Sequence, residues 1–181
     1  MAIDMLPYKQ GSLDGLCGVY SVINATRLLV KNILEEECMK LFKKCLTHVE
    51  QKKSLSKVIT TGISKRDLWS VLKNVVMENY PITSQNSFRG VKDISVKDFF
   101  GEIQSFLKED GKRTVIVGLD CHDWDHWTVI KSVSAKRVTL FDSSMMKTIN
   151  ISRCVLKKTS KGKPYKFALN DTFFLYGREQ Q

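Results

Sequence analysis

The hydrophobic pattern of this 181-residue sequence changes period about halfway along the chain, from the spacing of helices to that of strands. In the first half, apolar residues recur three and four positions apart, and serines precede aspartates by three residues, as at helix N-caps. These patterns predict helices over 17–30, 34–46, 65–79 and 95–109. In the second half, β-branched and aromatic runs predict strands over 114–119, 127–133 and 137–141, and weaker ones over 147–151 and 172–176. Helices followed by strands predict an α+β fold with an antiparallel sheet.

Length and composition are those of one globular domain covering residues 1–181. The chain is 43% hydrophobic and 27% charged, which excludes a disordered polyelectrolyte. No apolar run approaches the roughly 18 residues that would cross a bilayer. The first ten residues lack the basic and then apolar pattern of a secretory signal, so we expect a protein without a membrane span.

Cysteine and histidine numbers restrict the chemistry that the chain can carry out. The five cysteines form no CxxC pair, and an odd, irregular set argues against a disulfide framework. Only three histidines are present, so histidine-dependent chemistry has few places to occur. The residues concerned are Cys17, Cys38, Cys45, Cys121, Cys154, His48, His122 and His126.

The segment QGSLDGLCG, from Gln10 to Gly18, is the strongest candidate for a catalytic site. Cys17 opens an apolar helix, where the helix dipole and the free first-turn N–H groups favour a thiolate. The same N–H groups can receive an oxyanion, and the amide of Gln10 is a second candidate donor. Small neighbours such as Gly18 would let a substrate backbone approach closely.

A nucleophilic thiol needs a base, and the base needs a residue that orients it. His126 begins the strand HWTVI and Asp142 follows the next predicted strand. If the two strands pair, their ends bring His126 and Asp142 together. Asp142 could then bind one imidazole nitrogen while the other faces Cys17.

These residues resemble the motifs of papain-like cysteine peptidases, most closely those of the bacteriocin-processing peptidases that cleave after double-glycine leaders. The resemblance covers residues 8–30 and 113–144 and rests on Gln10, Cys17-Gly18, His126-Trp127 and Asp142. It implies that Cys17 is the nucleophile, His126 the general base and acid, Asp142 the orienting residue and Gln10 the oxyanion-hole side chain. It also implies a papain-like fold, with the helical half packed on the sheet.

Three positions depart from the pattern of that family. Gln10 lies seven residues before Cys17, one more than usual. Leu16 stands where the family commonly has Asp, and Ser143 stands where it usually has Pro. These departures bear on leader-peptide specificity more than on the catalytic residues.

The implied function is that of a thiol hydrolase, most simply a peptidase that acts on a protein or peptide and needs neither cofactor nor metal. The same triad could serve an amidase, a deamidase or an acyl transferase, because fold does not determine substrate. A non-catalytic peptide-binding module is a further alternative. Bacterial toxins and secreted effectors of this resemblance are often small domains, so we expect a cytoplasmic protein or one delivered into a target cytosol, with a cognate immunity protein as a possible partner.

The segment CHDWDH, residues 121–126, leaves other interpretations open. His122 is the rival candidate for the base. Five residues of this segment could act as metal ligands. All five lie within six consecutive positions, and no distant pair is present to complete a tetrahedral site. Trp124 and Trp127 could form the walls of a substrate cleft beside His126, and packing is the other interpretation for Trp127.

Basic residues are unevenly distributed along the chain. Residues 143–170 contain seven bases and no acid, so this segment carries +7 of the chain's net charge of +10. The part from Lys147 to Lys166 could therefore bind an acidic partner, a nucleic acid or an anionic lipid. The other interpretation is a solvated loop that keeps the protein soluble.

Overall fold

In the computed structural model, which describes residues 5–121 and 124–178, the α-helices come before residue 109 and most strands after residue 112, with one short 3-10 helix at Ile151–Arg153. The α+β class predicted from the sequence is thereby confirmed. The helices are α1 (Cys17–Leu29), α2 (Glu35–Glu50), α3 (Leu55–Thr61), α4 (Lys65–Val71), α5 (Met77–Asn79) and α6 (Val96–Lys108). A π-helical turn, Leu72–Val76, joins α4 to α5, so the segment predicted as one helix over 65–79 is helical throughout.

Both predicted serine caps are present. The Ser64 hydroxyl accepts a hydrogen bond from the Asp67 amide at 3.3 Å, and the Asp67 carboxylate accepts one from the Ser64 amide at 3.0 Å. The Ser95 hydroxyl accepts one from the Asp98 amide at 3.0 Å at the start of α6. Each pair satisfies N–H groups that the first turn of a helix leaves without an intrahelical acceptor.

The sheet is antiparallel along its main path, in the order β1-β7-β2-β3-β4-β5. The short strand β6 pairs in parallel with the start of β7. The strands are β1 (Ile82–Gln85), β2 (Arg113–Cys121), β3 (Trp124–Val133), β4 (Arg137–Leu140), β5 (Thr148–Asn150), β6 (Cys154–Val155) and β7 (Tyr165–Gly177). Strand β3 therefore lies between β2 and β4, as the prediction of adjacent strands required.

Sequence patterns underestimated β7 and missed α3, β1 and the two-residue strand β6. Strand β7 begins at Tyr165 rather than near residue 172, because Asn170 and Asp171 interrupt its apolar pattern. Helix α3 and strand β1 were not predicted. They have seven and four residues, which is too short for a periodic pattern to be distinguished from a loop.

Helices cover both faces of the sheet. On β2, Ile116 faces the core formed with α1, α2 and α4, whereas Val115 and Val117 face the core formed with α6. This alternation follows from the two-residue period of a strand. The helical half thus packs on one face of the sheet, and α6 crosses to the other. No helix in the described ranges is long and apolar enough to cross a bilayer.

Candidate active site

Cys17 lies at the first position of α1 and borders a cleft of about 900 Å³. Leu16, the residue before the helix, provides no side-chain cap, and the first turn contains no acidic residue. The Cys17 amide has no hydrogen-bond acceptor among the described residues. The thiol therefore lies where unpaired N–H groups and the positive end of the helix dipole favour negative charge.

His126 and Asp142 meet because β3 and β4 pair in antiparallel fashion. The Phe141 amide donates to the Val129 carbonyl at 2.8 Å, which continues the pairing beyond the end of β4. The imidazole Nε2 of His126 donates to Oδ1 of Asp142 at 2.6 Å, and both side chains are buried. The Cys17 thiol borders the same cleft as His126, and its sulfur lies 3.8 Å from the Gly15 carbonyl oxygen.

Asp142 is held by more than its bond to His126. Its second carboxylate oxygen accepts hydrogen bonds from the Ser144 amide at 2.8 Å, the Ser144 hydroxyl at 2.5 Å and the Met146 amide at 3.2 Å. Burial by itself would raise the pKa of Asp142, but the hydrogen bonds from His126 and Ser144 outweigh it and lower the pKa to about 2. Asp142 is therefore a fixed anion near neutral pH.

The charge of His126 follows from the same contacts. Burial opposes the imidazolium, yet the hydrogen bonds with Asp142 and Cys17 raise the pKa of His126 to about 9. Since this pKa is raised from its ordinary value of 6.5, the contribution of the charged ring to stability is complete below pH 6.5 and is lost as the pH rises through about 9. Near neutral pH the site therefore combines an anionic carboxylate with an imidazolium, and the Cys17 thiol borders the same cleft.

Gln10 also reaches the site, even though seven residues separate it from Cys17. Its side-chain amide borders the cleft, with Nε2 donating to the Asp14 carbonyl at 3.5 Å. Its backbone amide donates to the Ser143 carbonyl at 3.1 Å, next to Asp142. The structure thus brings Gln10, Cys17 and His126 to one cleft, with Asp142 buried behind His126.

The predicted substrate-binding residues differ in their positions. Trp124 is 41% exposed and borders the cleft, with its ring edge-on to His126 at 5.3 Å. Trp127 is buried, and its indole N–H donates to the Ile63 carbonyl at 3.0 Å. A Cβ on Gly18 would lie 2.5 Å from Ile63 and 3.1 Å from Trp127. Trp124 is thus available to a ligand, whereas Gly18 and most of Trp127 serve packing beneath the site.

One wall of the cleft is formed by the loop between α3 and α4, residues 62–64, which the sequence analysis did not identify. Helix α3, which precedes the loop, is joined to the segment before Cys17 because the Gly15 amide donates to the Ile59 carbonyl at 2.6 Å. The only sequence signal for this wall is a glycine between two helical patterns. Such a glycine marks a turn but does not say what the turn faces.

Replacing Gly62 with alanine is expected to lower the free energy of unfolding by roughly 2–4 kcal/mol. Gly62 has φ +72° and ψ −164°, a conformation open to little but glycine. An added Cβ would also lie 2.6 Å from the Gly15 carbonyl oxygen. Urea denaturation followed by circular dichroism measures the change.

Gly101→Ala is the matched control, because Gly101 is an exposed helical residue with no atom within 4 Å of an added Cβ. Equal urea midpoints for Gly62→Ala and the wild type would contradict this account of the loop.

The other four cysteines are buried away from any such arrangement. Burial raises the pKa of Cys45 and of Cys154 to about 12 and that of Cys121 to about 11, and it also raises the pKa of Cys38. These thiols stay protonated near neutral pH and are poor nucleophiles.

His122, the rival candidate for the base, lies outside the described residues. The metal interpretation of residues 121–126 also depends in part on His122 and Asp123, which the structure does not describe. Among the residues that it does describe, no three His, Cys, Asp or Glu side chains are grouped so that they could hold a metal ion.

The basic segment lies on the surface and is partly neutralised. Lys157 pairs with Asp93 at 3.1 Å, and Lys166 pairs with Asp120 at the cleft. Lys158, Lys161 and Lys163 are exposed around the loop between β6 and β7. Their charge is therefore displayed to solvent beside the start of β7.

The site therefore joins four side chains, from both halves of the chain, that sequence patterns had placed on separate elements. Its chemistry is that of a charged imidazole and a thiol at a helix start, both bordering an open cleft, with a buried carboxylate behind the imidazole. Comparisons with protein-family models, with curated proteins and with solved structures found no match for this chain.

Proposed function

We propose that this chain is a thiol hydrolase of papain-like fold, most simply a peptidase. One observation supports this more than any other. His126 donates to a buried Asp142 carboxylate at 2.6 Å through one ring nitrogen, and Cys17 at the start of α1 borders the same cleft as that ring. If His126 served only core packing, no thiol at a helix start would be required beside it. If Cys17 served only packing, no charged imidazole would be required near it.

In the proposed reaction, the Cys17 thiolate attacks the carbonyl carbon of a peptide bond. The carbonyl oxygen becomes an oxyanion that accepts hydrogen bonds from the Cys17 amide and the Gln10 side chain. The His126 imidazolium gives its proton to the departing amine, which leaves a thioester on Cys17. Neutral His126 then takes a proton from water, and the resulting hydroxide attacks the thioester and releases the carboxylic acid product. Asp142 keeps the imidazole oriented through both steps.

The cleft fits a polymeric substrate better than a small metabolite. It is open to solvent and lined by both backbone and side-chain groups from the 62–64 loop, from β2 and from β3. Trp124 offers an exposed aromatic surface beside the reacting atoms. An extended peptide that lies along such a cleft would place a backbone carbonyl next to Cys17.

The proposed hydrolase would act in a reducing compartment and would bind protein partners there. All five cysteines are free thiols, which suits a reducing compartment such as a cytosol, either that of the producing cell or that of a target cell. A toxin or effector of this kind would be neutralised by a cognate inhibitor. The segment from Lys147 to Lys166 would provide the contact for an acidic partner.

Mass spectrometry of a peptide mixture tests the reaction. The wild-type protein and Cys17→Ala are each incubated with a tryptic digest of a whole proteome, and new peptide ends are identified. Cleavage that depends on Cys17 would support the peptidase. A mass increase of about 1 Da on glutamine or asparagine without new ends would instead make the protein a deamidase. Identical peptides from both proteins would leave a peptide-binding module as the better hypothesis.

A further inference from the structure

Ser143 connects the two halves of the candidate site. Its hydroxyl lies 3.1 Å from Oε1 of Gln10, and its carbonyl accepts the backbone amide of Gln10 at 3.1 Å. The side chain is only 2% exposed. Ser143 therefore binds both the main chain and the side chain of the residue that is proposed to stabilise the oxyanion.

The surroundings of Gln10 determine which way its carboxamide points. A backbone carbonyl can only accept hydrogen bonds, so the group near the Asp14 carbonyl must be the Nε2 amino group. Oε1 then faces Ser143, whose hydroxyl donates to it. The amino group has two hydrogens. One points to Asp14 and the other is available to an oxyanion in the cleft that Gln10 borders.

Asp14 stabilises the loop that carries this arrangement. Its two carboxylate oxygens accept hydrogen bonds from the Gly11 amide at 2.6 Å and the Leu16 amide at 3.0 Å. These bonds span the segment between Gln10 and Cys17 and use two amides that would otherwise lack acceptors. The Cys17 amide and the Gln10 side chain remain as donors for the oxyanion.

We propose that Ser143 is a positioning residue, which holds the Gln10 carboxamide with its amino group toward the oxyanion. This inference rests on the proposed function. The Ser143 hydroxyl is the group that donates to Oε1 of Gln10, and an alanine in its place could not make this bond. Without the Ser143 hydroxyl, the carboxamide can rotate and present Oε1 to the developing negative charge, which would repel it.

Two reagents separate oxyanion stabilisation from thiol reactivity. In acylation by p-nitrophenyl acetate, the thiolate sulfur bonds to the ester carbon, the carbonyl oxygen becomes an oxyanion, and p-nitrophenolate leaves as the carbonyl re-forms. In alkylation by iodoacetamide, sulfur displaces iodide and no oxyanion forms. Both rate constants are measured at Cys17 by peptide mapping at pH 7. The proteins are the wild type, Gln10→Ala, Ser143→Ala and the double variant.

We expect Gln10→Ala to slow acylation roughly 100-fold, the effect of losing one oxyanion donor. Ser143→Ala should slow acylation about fivefold to tenfold, which corresponds to the net free energy of one neutral hydrogen bond. In the Gln10→Ala background, Ser143→Ala should change acylation by less than about twofold, because Ser143 acts only through Gln10. Alkylation should stay within about twofold of the wild type in all variants, since it forms no oxyanion.

Ser84→Ala is the matched control, because Ser84 is also a buried serine and its hydroxyl has no hydrogen-bond partner among the described residues. Both of its rates should equal those of the wild type. Two results would overturn the positioning role. One is that the double variant slows acylation by the product of the two single effects. The other is that Ser143→Ala slows acylation and alkylation equally. Unchanged acylation in Ser143→Ala would overturn it as well and leave the hydrolase intact. A wild-type Cys17 that is alkylated but never acylated would overturn both proposals.

Discussion

Cys17→Ala is expected to lower substrate hydrolysis by roughly 10⁵–10⁶-fold, to the level that binding and oxyanion donors alone can support. Cys17 provides the only atom that becomes covalently bound to the substrate in the proposed reaction, and no neighbouring group can replace its sulfur. The measurement is turnover of a peptide identified by the cleavage screen, with product quantified by mass spectrometry.

The fold should be unaffected by this change, since Cys17 is 9% exposed at the edge of the cleft and alanine leaves only a small void. Far-ultraviolet circular dichroism of the variant should therefore match that of the wild type. Cys38→Ala is the matched control, because Cys38 is a buried cysteine on α2 whose pKa is raised by burial. It should retain full activity. Equal activity of Cys17→Ala and the wild type would exclude the thiol mechanism.

His126→Ala is expected to lower hydrolysis roughly 10⁵–10⁶-fold and Asp142→Asn roughly 10⁴-fold. The first variant lacks the group that transfers protons in both steps. The second keeps a side chain of the same shape but removes the negative charge that orients the ring and stabilises its charged form. The smaller loss for Asp142→Asn reflects the imidazole that remains.

The pH profile distinguishes these roles from a merely structural one. In the wild type the raised pKa of His126, about 9, means that the imidazolium form is lost above that pH, so activity should fall on the basic side near pH 9. In Asp142→Asn the largest interaction that raises this pKa is absent, and the fall should begin at lower pH. A basic limb at the same pH in Asp142→Asn and the wild type would contradict the proposed pair.

The pKa of Asp142 is lowered from 3.8 to about 2, so its contribution to stability is present above pH 3.8 and is lost as the pH falls through about 2.

Much of the site could be predicted because its residues lie on strongly patterned elements. The strands that carry His126 and precede Asp142 are β-branched and aromatic runs separated by a short turn, so antiparallel pairing was the simplest arrangement. That pairing brings the start of one strand beside the end of the next. Cys17 was recognisable for a similar reason, since it begins a clearly periodic helix.

Other parts of the site depend on contacts between residues far apart in the chain. The bond between Ser143 and Gln10 spans 133 positions, and nothing in either local sequence indicates it. Trp127 could equally have faced a substrate or the core. Its burial against Ile63 depends on where the loop between α3 and α4 packs.

The sequence by itself determined the longer elements, their order and the residue types that carry the chemistry, because helix and strand periods are set by neighbouring side chains that share one face. Tertiary structure alone decided that Gly62 and its loop form a wall of the cleft and that α6 covers the opposite face of the sheet. It also decided that Ser143 holds Gln10. These arrangements arise from strand register and from the packing of distant apolar surfaces, which involve residues that no local pattern relates to one another.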